Sequence, residues 1–590
     1  SVAGNHPAFS PRGPCGSIRP MSSAGRPAGR DRRWQAPLRA LLLSAAFLIP
    51  VLLMGRKSAT FDEVAHLPAG YSYLATRSIR INPQHPPLIK EICALPLLFM
   101  GVRMPVDPET LRNTPVSLTY QWGFGKRFLY QQGERNADRI LFWGRVPAVL
   151  LSLGLAALVM IWAGRLWGGS AALLALFLYV FDPTITAHAQ LVTTDVGLAF
   201  FATLFLFALR RYVEKPSGGR LLLSGAALGL ALGAKFSAVI LIPVAALLAA
   251  LAAWKGGGAG ESAGKAPERG RPGREARRAG GPAAHSPADG RARRGRVLAS
   301  LGAVGLMLLI SFAVVWALYF FPSDPRFYLR GMEAVNRDHD PGYLPYLLGE
   351  VKPGGWRTYL LIAYLVKTPI PFLLLLGASA VFFLRGRRSG WLDEAFLILP
   401  ALAFFAGYSL TADNLGVRYL IPCLPFLFIF ASRLAPQAAS AGRWARTALA
   451  AALVWILVEF AAVWPDHLSY FNEITGVPPR GVEWLDDSNL DWGQGLIQLR
   501  DYLQERPPGD FRFCYFGSGE PAYYGIRGRT ITVGALAGPP ESGTYILSAH
   551  CVARARARLF SLHGEGAGNW LFHARPAAVV GHAYHVYEIR

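Results

Sequence analysis

Apolar runs near the length of a bilayer crossing alternate with short polar or basic segments over most of the 590 residues. The runs cover 36–54, 146–162, 170–181, 191–209, 221–234, 236–254, 297–321, 359–384, 392–410, 419–431 and 447–464. A crossing helix needs roughly 20 residues, and several runs are shorter, so the pattern predicts about eleven transmembrane helices with soft boundaries. The stretch 88–100 is also apolar, but Pro96 breaks it, which predicts a helix lying in the membrane interface. From residue 465 the pattern changes. Short runs such as FRFCYFG (511–517) and GTYILSA (543–549) predict strands of a small soluble α/β unit. The fold class is therefore an all-α polytopic membrane protein with a small C-terminal α/β domain.

Composition agrees, with 52% hydrophobic and only 16% charged residues. The net charge of +23 matters chiefly through where it sits. Arg30, Arg32, Arg33 and Arg39 precede the first run, and Arg165 follows the second. Arg210, Arg211, Lys215 and Arg220 follow the fourth, an Arg-rich stretch follows the sixth, Arg385, Arg387 and Arg388 the eighth, and Arg433, Arg443 and Arg446 the tenth. Basic short loops stay in the cytoplasm, so this alternation predicts a cytoplasmic N-terminus and an extracytoplasmic C-terminal segment. No nucleic acid is needed to explain the charge, because basic loops set topology and meet anionic membrane lipids.

The organisation that follows is a disordered cytoplasmic N-terminus (1–35), a transmembrane domain (36–464) and an extracytoplasmic domain (465–590). The transmembrane domain carries an outer loop, 55–145, and a flexible cytoplasmic loop, 255–296, of Gly, Ala, Pro and Arg. Met21 is the expected start, and the first run lacks a signal-peptide cleavage site. Five cysteines are too few for a scaffold, and Cys514 and Cys551 are the candidates for a pair in an oxidising compartment.

Ionisable residues gather where the topology places the outer face. TFDEVAH (60–66) and NPQHPP (82–87) follow the first run, and HAQLVTTD (188–195) opens a later one. Charges at a bilayer boundary are costly, and such clusters are usually functional. Asp62 and Glu63 lie four and three positions before His66, so on a helix all three share one face. That suits either a carboxylate base with an orienting histidine or a metal site. The plainer readings are an N-cap for Asp62, an interfacial ring for His85 and a complement to the helix dipole for Asp195. Lys235, Lys367 and Arg418 run against the positive-inside trend. Each is either a side chain snorkelling to the interface or part of an anion clamp suited to a lipid phosphate. In DDSNLDWGQ (486–494), Asp487, Asn489, Asp491 and Trp492 suit hydrogen bonding and stacking on a sugar, or form a polar turn around a buried Trp.

The ordered segments FDEVAHLPAGYSYL…INPQHPPLIKEICALPLL, DPTITAHAQLVTTDVGLAFF, LVKTPIPFLLLL, NLGVRYLIPCLPFL and PDHLSYFNEITG…DDSNLDWGQGL resemble the phospholipid-carrier-dependent glycosyltransferases of the GT-C superfamily. The likeness is to the protein mannosyltransferase and aminoarabinose transferase relatives of glycosyltransferase family 39, and it covers about 59–495. It implies a multi-pass protein of the bacterial inner (plasma) membrane. It also implies a polyprenyl-phosphate sugar as donor, transfer on the outer face, and a lipid, glycan or protein acceptor.

On that resemblance Asp62 is the base, with Glu63 as neighbour and Asp195 as orienting acid. Lys235, Lys367 and Arg418 would bind the donor phosphate, and His85, His188 and the C-terminal motif the substrate. No cofactor is required, although a divalent ion suits Glu63, His66 and His85. The competing classes are a lipid or sugar transporter or flippase, and a non-catalytic assembly factor. A transporter is expected to show internal repeats and midplane charges, which this sequence lacks.

Overall fold

The computed structural model describes residues 33–590 apart from 117–118, 134–135, 256–286, 339–342, 387–389, 478–479 and 564–568. The segment 1–32 and most of the basic loop expected at 255–296 therefore lie outside the described residues.

All eleven apolar runs fall on helices, but these are of three kinds. Among the described residues, eight helices are long and apolar enough to cross a membrane: Gln35–Met54, Ala137–Trp167, Thr194–Glu214, Phe236–Lys255, Gly290–Leu318, Trp391–Thr411, Val417–Ala441 and Arg443–Ala462. The run 359–384 is a pair, Tyr359–Lys367 and Ile370–Arg385, bent by 112°. Pro369 cannot donate to the helix ladder and disfavours helical backbone at Thr368, so the chain turns there. Gly169–Val180 and Gly218–Ala234 are apolar but shorter. By length and composition the described residues give eight full-length crossings, or nine with the bent pair, and the two shorter apolar helices make up the difference from the expected count of about eleven.

Close packing explains the short Gly218–Ala234. Gly225, Gly229 and Gly233 stand four apart and form one stripe against Pro287–Leu318. A Cβ on Gly229 would sit 2.7 Å from Val314 Cβ, and one on Gly225 2.8 Å from Ile310 Cβ. Between the first two crossings the outer loop folds into further helices, including Glu63–Thr76 and Leu88–Ala94. A 3-10 turn at Leu95–Phe99, where Pro96 interrupts the run, leaves Leu95, Leu98 and Phe99 exposed.

Near the C-terminus, β1 (Tyr346–Leu347) and β2 (Glu350–Val351) form a hairpin contributed by the segment before the bent pair. Beyond residue 510 lie β3 (Phe511–Cys514), β4 (Arg529–Thr530), β5 (Gly543–Ser548), β6 (Ala578–Val580) and β7 (Tyr584–Ile589), ordered β4-β3-β5-β7-β6. β3 runs parallel to β4 and β5, and β7 antiparallel to β5 and β6. The two-residue period assigns the faces. Phe513, Ile546 and Val586, aligned across three strands, pack with Leu496 and Leu499 of helix Leu496–Glu505. Tyr545, Leu547 and Tyr587 pack on the other face with Val552 and Ala555 of helix Ala549–His563. Cys514 and Cys551 are joined by a disulfide, tying β3 to that helix.

Candidate functional site

The first outer loop and the C-terminal motif are laced together by backbone. Ser58 N–H donates to the Gln494 carbonyl at 3.1 Å, and Phe61 N–H to the Trp492 carbonyl at 2.9 Å. Ser58 Oγ donates to the Gly493 carbonyl at 2.9 Å, and Ser518 Oγ donates to the Phe61 carbonyl. The Phe61 ring stacks on Phe516, whose other neighbour is the stacked ring of His550. These ties open a cleft of about 730 Å³ whose lining includes Phe61, Asp62, Tyr343, Arg418, Asp487 and Trp492.

Asp62 sits at the N-cap of Glu63–Thr76 without using its side chain as a cap. Its carboxylate instead accepts from Arg418 Nη1 at 2.6 Å. Arg418, in a 3-10 turn at Val417–Cys423, also lies 4.0 Å from Asp195 Oδ2 and 4.3 Å from the centre of the Trp492 ring. Asp195, in the first turn of Thr194–Glu214, pairs with Lys235 Nζ at 2.6 Å. Lys235 lies in the link after Gly218–Ala234, over the ring of Tyr419. Four residues spread over more than 350 positions thus form one alternating network, acid to cation to acid to cation. Its members are buried enough for charge pairing to be strong. Among the described residues, Arg418 Nε and Asp195 Oδ2 have no hydrogen-bond partner. The network therefore keeps unused donor and acceptor capacity.

Other expected site residues are placed differently. Glu63 does not face the cleft: it is fully buried and gripped by Arg145, Nε to Oε1 at 2.8 Å and Nη2 to Oε2 at 2.7 Å. It also accepts from the backbone N–H of Thr60 and Val192 and from Thr60 Oγ1. Burial alone would raise the Glu63 carboxyl, but Arg145 outweighs it and holds the group below its ordinary value. With its oxygens taken, Glu63 is not available to the set expected with His66 and His85. His66 Nδ1 lies 3.0 Å from the Val192 carbonyl, and its ring meets His85 edge-on. Among the described residues no group of three or more His, Cys, Asp or Glu side chains is arranged to hold a metal ion.

His85, half-buried beside His66 and Lys90, is pushed well below the usual histidine range by burial and by nearby cations. Lys90, unremarked in the sequence, props the His85 loop. Its ammonium donates to the carbonyls of Asn82 and His85 and to Asn82 Oδ1, at 2.7, 2.8 and 2.9 Å. His188 is buried beside Trp492, with Nδ1 on the Thr184 carbonyl, and burial lowers it to about 4. Lys367 is not among the residues lining the cleft. Its ammonium donates to the Leu468 carbonyl at 2.8 Å and to the Asn489 carbonyl, holding two C-terminal loops against the bent helix pair.

Within DDSNLDWGQ the roles divide. Asp487 lines the cleft, accepting from Tyr343 O–H at 2.6 Å, and burial and neighbouring Asp486 raise its carboxyl above the ordinary value. Asn489 faces inward, taking Val417 N–H at 2.8 Å and donating to Tyr359 O–H. It thereby fixes the turn that carries Arg418. Asp491 is buried against Gly493 N–H and raised by burial to about 6. Trp492 lies beneath Arg418. Arg145, Tyr343 and Phe516 gave no signal in the sequence beyond a cation and aromatics at helix ends or in loops.

Residues 140–257, the segment containing Asp195 and Lys235, match the family model of dolichyl-phosphate-mannose-protein mannosyltransferases. A comparison with curated proteins finds no match. Among solved structures, the chain is similar to ArnT from Cupriavidus metallidurans bound to undecaprenyl phosphate. That pair shares 14% identity over 94% of this chain and 97% of that one, with a TM-score of 0.45. For the Archaeoglobus fulgidus oligosaccharyltransferase the identity is 12% over 90% and 72%, with a TM-score of 0.42. For the Saccharomyces cerevisiae protein O-mannosyltransferase Pmt1-Pmt2 complex it is 16% over 52% and 35%, with a TM-score of 0.32. The likeness to a known family is thus carried by residues 140–257, which are similar to the dolichyl-phosphate-mannose-protein mannosyltransferases.

Proposed function

We propose that the protein transfers a sugar from a polyprenyl-phosphate carrier to an acceptor hydroxyl at the outer face of a bacterial inner membrane, with inversion at the anomeric carbon. The observation that carries this reading is the Asp62–Arg418 pair, 2.6 Å apart in the cleft wall, backed by Asp195 and Lys235.

A phosphate leaves without needing a proton, so the reaction asks for one base and for cations that hold the phosphate. Arg418 presents a planar fork suited to phosphate, and Lys235 adds a second cation behind it. When the donor phosphate takes the guanidinium, Asp62 loses its partner and becomes the freer base. The acceptor oxygen then bonds to the anomeric carbon, the bond from that carbon to the phosphate oxygen breaks, and the hydroxyl proton passes to Asp62. Polyprenyl phosphate leaves with the electron pair. Asp195 anchors Lys235 and orients Arg418, and Glu63, locked on Arg145, positions the start of the helix that bears Asp62.

The test is Asp62→Asn in detergent or liposomes with a polyprenyl-phosphate sugar. Removing only the proton acceptor should leave donor binding intact and lower transfer by roughly 10²–10⁴-fold, the usual worth of general-base catalysis. Turnover near wild type would remove Asp62 from the mechanism. In parallel, Arg418→Ala should weaken donor binding while the protein still expresses, and unchanged affinity would return Arg418 to a purely structural role.

A further inference from the structure

The turn that carries Arg418 is held by residues from beyond the last crossing. Gly416, at the N-cap of the 3-10 turn Val417–Cys423, has no side chain to offer the turn's first N–H. Asn489 takes that role. Its Oδ1 accepts from Val417 N–H at 2.8 Å, while its Nδ2 donates to Tyr359 O–H and to the Asp486 carbonyl, each at 2.9 Å. One residue earlier, Ser488 Oγ donates to the Leu415 carbonyl at 2.7 Å. The segments approach so closely that a Cβ on Gly416 would lie 2.2 Å from that hydroxyl oxygen. Trp492 adds its ring, 4.3 Å from the Arg418 guanidinium. From the bent helix pair, Lys367 holds the Asn489 carbonyl.

We infer that Ser488, Asn489 and Trp492 are positioning residues for the donor phosphate, acting through Arg418 and not by touching the sugar; the inference rests on the glycosyl-transfer reading above. Ser488 and Asn489 are buried, and their side-chain polar atoms are spent on the Arg418 turn and its surroundings. Trp492 meets the guanidinium with its ring, a contact that does not compete with the edge that binds anions. When the donor phosphate displaces Asp62, the ring and the tethered turn keep the fork where it was. The phosphate therefore meets a cation already oriented, and less of the binding energy goes into ordering a long side chain. Trp492 also lines the cleft, so a ring that seats Arg418 has to be separated from a ring that touches sugar.

Binding to the full-length protein in detergent is measured for polyprenyl phosphate and for polyprenyl-phosphate mannose. Asn489→Ala leaves the buried Val417 N–H unpaired and should weaken both ligands by about tenfold. Trp492→Leu removes the ring and should weaken both by about fivefold, with most of the affinity kept in Trp492→Phe. In an Arg418→Ala background neither substitution should add a further loss, because both act through that guanidinium. Ser488→Ala removes a single hydroxyl, should weaken both ligands by about threefold, and decides the matter where Asn489→Ala does not fold. Wild-type affinity in these variants, losses confined to the mannose-bearing ligand, or losses that add to that of Arg418→Ala overturn the positioning role and leave the donor reading standing. Unchanged affinity in Arg418→Ala alone, or no binding of polyprenyl phosphate to the wild-type protein, overturns both.

Discussion

Two adjacent acids, Asp62 and Glu63, meet opposite fates, and the difference is one helical step of about 100°. Asp62 looks into the cleft, whereas Glu63 turns into the bundle and meets Arg145. Arg145 also donates to the carbonyls of Met54, Lys57 and Ser58, each at 2.8 Å, so it closes the loop leading into the site. Arg145→Leu would leave a buried carboxylate and three carbonyls unpaired. The expected cost is about 3–5 kcal/mol, read as earlier thermal unfolding in detergent, with part recovered when Glu63→Gln is added. Wild-type stability for the single variant would show that the pair is dispensable. The pair also sets a pH window. Because the Glu63 carboxyl is held below its ordinary value, its contribution is full at neutral pH and is lost as the medium is acidified through the carboxylate range. Sequence could nominate Asp62 and Glu63 together but could not separate them, because their partners lie 356 and 82 positions away. Lys235 and Arg418 could be nominated for a different reason: on the topology expected from the basic loops they stand where cations are rare, and that is visible without a partner. Lys367 was equally conspicuous, yet it serves two backbone carbonyls, and nothing in LVKTPIP distinguishes a tether from a clamp.

Apolar runs located every bundle helix, since a lipid-facing or buried helix must be hydrophobic over its length. They could not say which runs are full crossings, because the shorter ones are shielded by neighbouring helices. In Gly218–Ala234 the information sits in the small residues, and a Gly every four positions is readable in advance as a close-contact stripe. Gly229→Ile places a branched side chain where even a Cβ would lie 2.9 Å from the Ser311 carbonyl oxygen. The variant should therefore expand the Gly218–Ala234 contact with Pro287–Leu318 and lower the unfolding temperature by several degrees. Gly219→Ala on the same helix, where a Cβ meets nothing within 4 Å, is the control expected to be neutral or mildly stabilising. In the outer sheet the two strand predictions held at Phe511–Cys514 and Gly543–Ser548. The strand order was not legible, because pairing depends on the helices between strands and on the disulfide. Opening Cys514–Cys551, which spans 37 positions, should cost about 4 kcal/mol by the loop-entropy relation, seen as reductant-sensitive unfolding of this region.

At the scale of the whole molecule, contacts assign each helix end to one of two sides, independently of charge. Asp62, Asp195, Arg418 and Trp492 meet at the cleft, and Asp466, after the last crossing, pairs with Lys57, just after the first. The opposite side holds Arg210 with Asp393 and Arg433 with Glu394. Thr194–Glu214 therefore runs away from the cleft, Trp391–Thr411 returns to it, and the segment from Arg418 to Arg433 leaves again. Lys367 touches Leu468 and Asn489 on the cleft side, and Arg385 lies just before Trp391. The bent pair thus completes a crossing and does not re-enter on the side it left. With the first helix ending at the cleft side, the N-terminal and C-terminal ends fall on opposite sides. On the proposed outer-face reading, Arg210, Arg211, Lys215, Arg220, Arg433, Arg443 and Arg446, all at or near the ends remote from the cleft, would mark the cytoplasmic side, where basic loops are retained. An enzymatic reporter fused after Arg590 is therefore expected to be active outside the cytoplasm, and one inserted within 256–290 inside it. Both reporters on one side would break the crossing assigned to the bent pair. A full exchange of sides would put the cleft in the cytoplasm, where an outer-face transfer has no place.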